Sequence, residues 1–261
     1  MIEVKNLKKE FEDIEVLKGI STVFETGKTN LIIGQSGSGK TVFLKCLTGL
    51  VTPTSGEILF DGKDTTKFSY EQRQKLRGEI GTVFQGSALF DSMTVLENVR
   101  FPLEMFSNLS MKEMDMRSEE VLERVDLSKE ALKKFPSEIS GGMQKRVAIA
   151  RAIVNKPKYL FADEPNSGLD PKTSMVIDKL LHELTVEYNT TTIINTHDMN
   201  SVMEIGETIV FLKNGVKEWS GDKTEILTAN NESVIDFVYS SKLFTKLREV
   251  LLQEKTNSSK L

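Results

Sequence analysis

The run TNLIIGQSGSGKT, residues 29–41, constrains the fold more than any other part of the chain. An apolar, β-branched strand ends in Gly34, and residues 34–41 fit G-x-x-x-x-G-K-[ST] just before an apolar helical period begins. A backbone that wraps a tetrahedral anion needs φ values and a close approach that a Cβ would forbid, which accounts for Gly34, Gly37 and Gly39. The N–H groups of the loop, including that of Ser38, and the positive end of the following helix then face a phosphate. Lys40 is placed on the outer phosphates and the Thr41 hydroxyl on Mg²⁺.

The remaining text alternates around that unit. IEVKNL, TNLIIG, GEILFDG, IGTVF, KYLFAD, TTTIINT and ETIVFL are short, β-branched and bounded by Gly, Pro, Asn or Asp, so strands are predicted. Helices are predicted over 39–50, 111–125, 142–155 and 171–187, where apolar residues recur at helical spacing after a start signal. Asn214 and Gly215 both accept positive φ and predict a hairpin. The fold class is α/β. Between 86 and 155 the strands vanish and the text turns helical, Met-rich and charged, predicting an inserted helical subdomain. With 261 residues, 39% of them hydrophobic and 28% charged, the chain can bury one large domain or a domain plus subdomain.

A net charge of -4 gives no global reason to bind nucleic acid or an anionic bilayer, so no nucleic-acid partner is expected. The single Cys46 sits in VFLKCLTGL and predicts a buried thiol in a reducing compartment. No run approaches the ~20 apolar residues of a membrane span. The opening MIEVKNLKKEF alternates like a strand rather than a leader, so the chain is expected in the cytoplasm unless a partner holds it at a membrane.

KYLFADEP ends an apolar strand in Asp163 and Glu164, at the carboxyl edge where open α/β sheets bind ligands. Asp163 suits Mg²⁺ through water, and Glu164 could polarise an attacking water. EISGGMQKRVAIARAI places Ser140, Gly141 and Gly142 at a helix start, a second nest of N–H groups for a second phosphate contact. NSGLDP follows Glu164 at once, and TTTIINTHD sets His197 at the end of another strand. His182, inside MVIDKLLHELTVEY and away from any strand end, is expected to be structural.

In this order the segments resemble the nucleotide-binding subunit of ATP-binding cassette (ABC) transporters over nearly the whole chain. The matching set is Walker A at 34–41, the Q-loop glutamine Gln85, the signature ISGGM at 139–143, the Walker B carboxylates Asp163 and Glu164, the D-loop SGLD at 167–170 and the switch histidine His197. Ile139 and Met143 stand where relatives more often have Leu and Gln, changes that leave the phosphate-facing Ser140, Gly141 and Gly142 intact. The resemblance implies a P-loop NTPase cassette with a RecA-like α/β core, an antiparallel β subdomain and a helical subdomain at about 86–155, all within 1–240, and a C-terminal tail at 241–261. It implies ATP and Mg²⁺ as cofactors, catalysis by Glu164, His197 and Gln85, and the metal at Thr41, Gln85 and Asp163. A head-to-tail homodimer is implied too, with ATP sandwiched between the P-loop of one subunit and the signature of the other. Phe11 would stack on adenine, or else is a strand-edge core residue.

The resemblance further implies a motor on the cytoplasmic face of the inner membrane, held there by a permease that contacts 86–102. FQGSALFDSMTVLENVRFPL is most similar to the branch serving MCE-domain (Mla-type) phospholipid transporters, which would add an MCE-domain protein and an accessory cytoplasmic protein as partners. The alternative is the ATPase of a small-solute importer of the polar amino acid type. A soluble ABC ATPase of DNA repair, chromosome structure or translation would carry a long coiled coil, a zinc module or a second cassette, none of which this sequence has.

Overall fold

The computed structural model describes residues 1–239. The tail expected at 241–261 lies outside the described residues.

One sheet is antiparallel. Its strands are β1 (Ile2–Phe11), β2 (Ile14–Phe24), β4 (Ser55–Phe60) and β5 (Lys63–Asp64), in the order β2-β1-β4-β5. The second sheet holds β3 (Thr29–Ile33), β6 (Ile80–Val83), β7 (Tyr159–Asp163), β8 (Thr191–Thr196), β9 (Thr208–Lys213) and β10 (Val216–Gly221), in the order β10-β9-β3-β8-β7-β6. All its neighbouring pairs are parallel except β9 and β10, which turn at Asn214 (φ 51) and Gly215 (φ 80), as the hairpin signal predicts. The helices are α1 (Lys40–Leu47), α2 (Tyr70–Gly78), α3 (Val95–Phe106), α4 (Met111–Arg124), α5 (Gly141–Ile153), α6 (Pro171–Tyr188), α7 (Met199–Ile205) and α8 (Glu232–Val238).

The parallel sheet is apolar on both faces. Ile32, Phe161, Ile193 and Val210 pack with Ile2, Leu17, Phe24 and Phe60 of the antiparallel sheet and with Phe43 and Leu47 of α1. Leu31, Ile33, Leu160, Ile194 and Phe211 face the other way, against α5, α6, α7 and α8. Each fully buried aliphatic or aromatic side chain stabilises by about 1.5–3 kcal/mol. Hydrophobicity alone cannot set the register of β3, because a one-residue slip would exchange one apolar face for the other. Asn30 sets it: fully buried, it donates to the carbonyls of Glu25, Lys28 and Thr192, each at 3.0 Å, and accepts from the Glu25 N–H at 3.0 Å. That pin fixes where the strand ends and therefore where Gly34 sits.

Cys46 is buried as expected, and burial pushes its thiol up to about 11. β2, β5, α2, α3 and α7 carry no forecast in the sequence reading, β5 being a strand of only two residues, Lys63–Asp64. β2 pairs with β1 through three register shifts and turns at Gly19 (φ 90), so its alternation is broken. α2 and α3 start at full capping boxes, Ser69 with Gln72 and Thr94 with Glu97, a signal visible in SYEQ and TVLE. Pro102 inside α3 argues against a helix there, yet buried Val95, Val99 and Leu103 hold it. α7 is too short for a helical period to show.

Candidate functional site

The carboxyl ends of β3, β6, β7 and β8 come to one edge of the parallel sheet, and each delivers part of one cluster. β3 leads into the glycine loop, where Gly34 (φ 151), Gly37 (φ 80) and Gly39 (φ 103) all have positive φ. A Cβ on Gly34 would approach the Leu212 carbonyl oxygen to 2.2 Å, whereas at Gly37 it would meet nothing within 4 Å. Gly37 is thus demanded by φ alone and faces open space. α1 starts from Gly39 without a side-chain cap, which leaves first-turn N–H groups for an anion. The Ser38 Oγ is buried with no partner in the described chain. An unmet buried hydroxyl costs about 1–3 kcal/mol, so the loop suits ligand oxygens.

Lys40 is 6% exposed, and its ammonium donates to the carbonyls of Gly34 at 2.8 Å and Gln35 at 3.1 Å. Burial lowers its pKa, against the opposing pull of Glu164 and Asp163. Thr41 Oγ1 donates to Asp163 Oδ1 at 3.3 Å, and Asn195 Nδ2 donates to the same oxygen at 3.0 Å. No cluster of three or more His, Cys, Asp or Glu side chains among the described residues is arranged for a metal. The donor set at this point, one hydroxyl and one carboxylate, fits Mg²⁺, which keeps waters and takes substrate phosphates rather than a protein cage.

Glu164 follows β7 in a left-handed conformation (φ 45), and its N–H donates to the Asn195 carbonyl at 3.0 Å. For a residue with a Cβ this costs about 1–3 kcal/mol. Its carboxylate accepts from Gln85 Nε2 at 3.1 Å on one oxygen and lies 3.0 Å from His197 Nδ1 on the other. A carboxylate can only accept, so Nδ1 carries the proton in this arrangement. Gln85 Nε2 also donates to Ser167 Oγ at 3.2 Å. The glycine loop, Asp163, Glu164, Gln85 and His197 are thus gathered in one place.

The other candidate phosphate contact lies apart. Ser140 caps α5 by accepting from the Met143 N–H at 3.3 Å, and both Ser140 and Gly141 are exposed. Among the described residues no hydrogen bond joins Ser140, Gly141 or Gly142 to 34–41.

The ABC transporter family profile matches residues 17–167. A methionine import ATP-binding protein of Bacillus cereus is 36% identical over 260 residues, covering 97% of this chain and 74% of that protein. The chain belongs to the ABC transporter family. The lipoprotein-releasing system ATP-binding protein LolD of Buchnera aphidicola is 41% identical over 210 residues, 78% of this ABC ATPase and 91% of LolD. The dimeric structure of MJ0796, a bacterial ABC transporter cassette, superposes with a TM-score of 0.79 at 37% identity, covering 85% of this chain and 98% of that one. Another MJ0796 dimer, with a TM-score of 0.78, is a post-hydrolysis state bound to ADP and Pi. These relatives serve methionine import and lipoprotein release, so the branch expected from 86–102, phospholipid transport with an MCE-domain partner, finds no support among them.

Phe11 of this ABC ATPase ends β1 at a hairpin tip opposite Ile14, is 43% exposed and holds the Lys9 ammonium 4.6 Å from its ring centroid. The strand-edge core alternative is therefore wrong, because the ring is not packed in a core. His182 Nδ1 lies 3.0 Å from Thr29 Oγ1, tying α6 to β3 as a structural residue would. Two polar residues at the site carry no forecast. Asn195 is fully buried and positions both Asp163 and Glu164; its signal is a lone amide inside the apolar run TTIINT. Asp178 of α6 is 3% exposed and accepts from Asn166 Nδ2 at 2.7 Å, just before the D-loop; burial pushes its carboxyl up to about 6, despite hydrogen bonds from Ser201 and Asn166.

Proposed function

We propose that the chain is the motor subunit of a membrane transporter, binding ATP with Mg²⁺ at 34–41 and hydrolysing it between two head-to-tail copies. The observation that carries this is the left-handed Glu164, whose carboxylate is held by Gln85 and His197 beside the Thr41–Asp163 pair. In this reading the loop N–H groups, Ser38 and Lys40 bind the phosphates, and Phe11 covers the adenine. Thr41, Asp163 and the Gln85 side-chain carbonyl would hold Mg²⁺, which when bound neutralises developing phosphate charge. Glu164 takes a proton from the attacking water, and Gln85 keeps it oriented. His197 meets the γ-phosphate once its Nδ1–H leaves Glu164, so phosphate contact and release of the base are one movement. Ser140, Gly141 and Gly142 of the second copy close the cage.

The permease is proposed to seat on 86–102. Beside this segment lies a groove of about 290 Å³ lined by Phe84, Phe90, Phe101, Pro102 and Phe106. No helix among the described residues is long and apolar enough to cross a membrane, and attachment to the cytoplasmic face through the permease is the reading we adopt. The methionine-import relatives support a polar small solute as cargo. Phospholipid cargo has only the wording of 86–102 behind it.

The test is isolation of the native complex in mild detergent, with identification of its proteins and bound lipid. A permease with a solute-binding protein and no lipid is expected. An MCE-domain protein with phospholipid would reverse the cargo while leaving the motor intact, and a complex without any permease would sink the transport reading.

A further inference from the structure

A cleft of about 270 Å³ lies at the C-terminal end of α1, where the antiparallel and parallel sheets meet. Its apolar wall is Leu47 of α1, Ile58 of β4 and Ile80 of β6, with Val51 and Leu76, all packed on the core beneath. Leu47 and Ile58 are each 2% exposed. α2 contributes Arg73 and Arg77, and among the described residues no other charged side chain lines the cleft. α1 runs from Lys40 beside the glycine loop to Leu47 in the cleft, about 10 Å at 1.5 Å per residue, so this space is separate from the phosphate site.

The two arginines are charged without compensation. Arg100, Arg117, Arg124 and Arg146 each lie against a carboxylate, whereas among the described residues Arg73 and Arg77 meet none. Nearby carboxylates are engaged elsewhere: Lys67 takes Asp64 at 2.8 Å and Glu57 at 3.6 Å, and Lys158 takes Glu79 at 3.1 Å. Arg73 is held by donation from Nε to the Phe68 carbonyl at 3.1 Å and from Nη2 to the Thr66 carbonyl at 3.3 Å, and its Nη1 has no partner among the described residues. Standing one turn apart on the same helix, the two guanidiniums repel each other. The last turn of α2 favours one cation, Arg77, and does not account for the second. Long cationic side chains often cover apolar surface with their stems, yet a fully covered wall would leave no cleft.

We propose that this cleft is a binding site for a short-chain carboxylate, its carboxyl group between the guanidiniums of Arg73 and Arg77 and its apolar carbons against Leu47, Ile58 and Ile80. A guanidinium suits a carboxylate because its parallel N–H groups meet both oxygens at once. An anion placed there also removes the repulsion along α2. The cleft is smaller than the roughly 300–1,000 Å³ of sites for drug-sized molecules, which limits the ligand to a small metabolite. With no carboxylate in the wall to receive an ammonium, a plain carboxylate fits better than a zwitterionic amino acid. The site stands on the cleft alone and does not depend on the ATPase reading.

Methyl NMR on the full-length chain tests the site, with hexanoate as the probe. Hexanoate at about 1–10 mM should shift the Ile58 and Ile80 methyl resonances saturably. Hexanol, which lacks the charge, and 2-aminohexanoate, which adds an ammonium, should each bind at least about tenfold more weakly. Equal binding of hexanol would reduce the cleft to an apolar hole, and equal binding of 2-aminohexanoate would contradict the charge argument. Inorganic phosphate that displaces hexanoate at equal concentration would show a general anion site. Any of these overturns the proposal, as does the absence of a saturable shift. Arg77→Glu sets a carboxylate one turn from Arg73, so the helix exchanges a repulsion for an ion pair and the chain keeps its Tm. Hexanoate affinity in this variant should fall by more than about tenfold. Unchanged affinity there would likewise overturn the assignment.

Discussion

The phosphate-loop edge and the start of α5 are both glycine-rich helix N-termini, yet they are built in opposite ways. At the loop, Lys40 is buried, Ser38 is enclosed, and Thr41, Asp163 and Asn195 are already joined. At α5, Ser140 and Gly141 stand exposed and cap only their own helix. A fold that invests buried polar groups at one glycine-rich helix start and leaves the other bare makes the first self-sufficient and the second a surface open to completion by something else. Binding should therefore belong to the loop, and closure to the encounter between copies.

The sharpest way to break that comparison is Glu164→Gln. Removal of the base should cut ATP turnover by about 10²–10⁴-fold while binding survives, and ATP should then trap a dimer seen by size-exclusion chromatography. Normal turnover in this variant would contradict the assignment of Glu164. Lys40→Ala attacks the self-sufficient half: loss of a buried charged donor should weaken ATP binding by about 10–100-fold, measured on the monomer by calorimetry. Ser140→Ala attacks the bare half. Monomer affinity for ATP should not move, while ATP-driven dimerisation falls by about tenfold, since one phosphate hydrogen bond and the helix cap are both lost; an equal drop in monomer affinity would erase the distinction between the halves.

At Asp178 it is stability, rather than turnover or binding, that responds, and the response is read by pH. Asp178 holds its carboxyl at about 6 chiefly through burial, with the charges of Asp198 and Glu204 adding to the rise. The native state therefore binds the extra proton between the unfolded value of about 4 and the folded value, and Asp178 favours folding most below that window. Its contribution declines as pH rises through about 6. Asp178→Asn keeps the contact with Asn166 and should remove that decline, gaining up to about 2 kcal/mol at pH 7.5, visible as a higher Tm and a flatter profile of Tm against pH. A steeper profile in the variant would contradict the sign.

What the sequence made legible divides along the same line. Gly34 to Thr41 could be found from a strand followed by a turn and a helix, Asp163 with Glu164 from the end of an apolar strand, and Ser140 with its glycines from a helix start. Their contacts could not. Asn195 meets Asp163 only because β7 and β8 are neighbours in register, and Asp178 meets Asn166 only because α6 folds back behind the D-loop. Lys145 reads as one more solvated charge in GGMQKRV until α5 is seen packed against 85–88. The alternation of strands and helices followed from short β-branched runs and turn residues, whereas the antiparallel sheet was implied only by the family resemblance. β2 itself did not follow, because its bulges and Gly19 erase the period, and α3 did not, because Pro102 outweighs its capping box on paper while buried contacts outweigh Pro102 in the fold.

Cys46 has a practical consequence. It is the one thiol in the chain, and with its proton held to about 11 it offers almost no thiolate to a labelling reagent at neutral pH. A cysteine placed on the exposed start of α5 would consequently react alone, and a spectroscopic probe attached there could watch two copies approach in real time without any background substitution of the native chain.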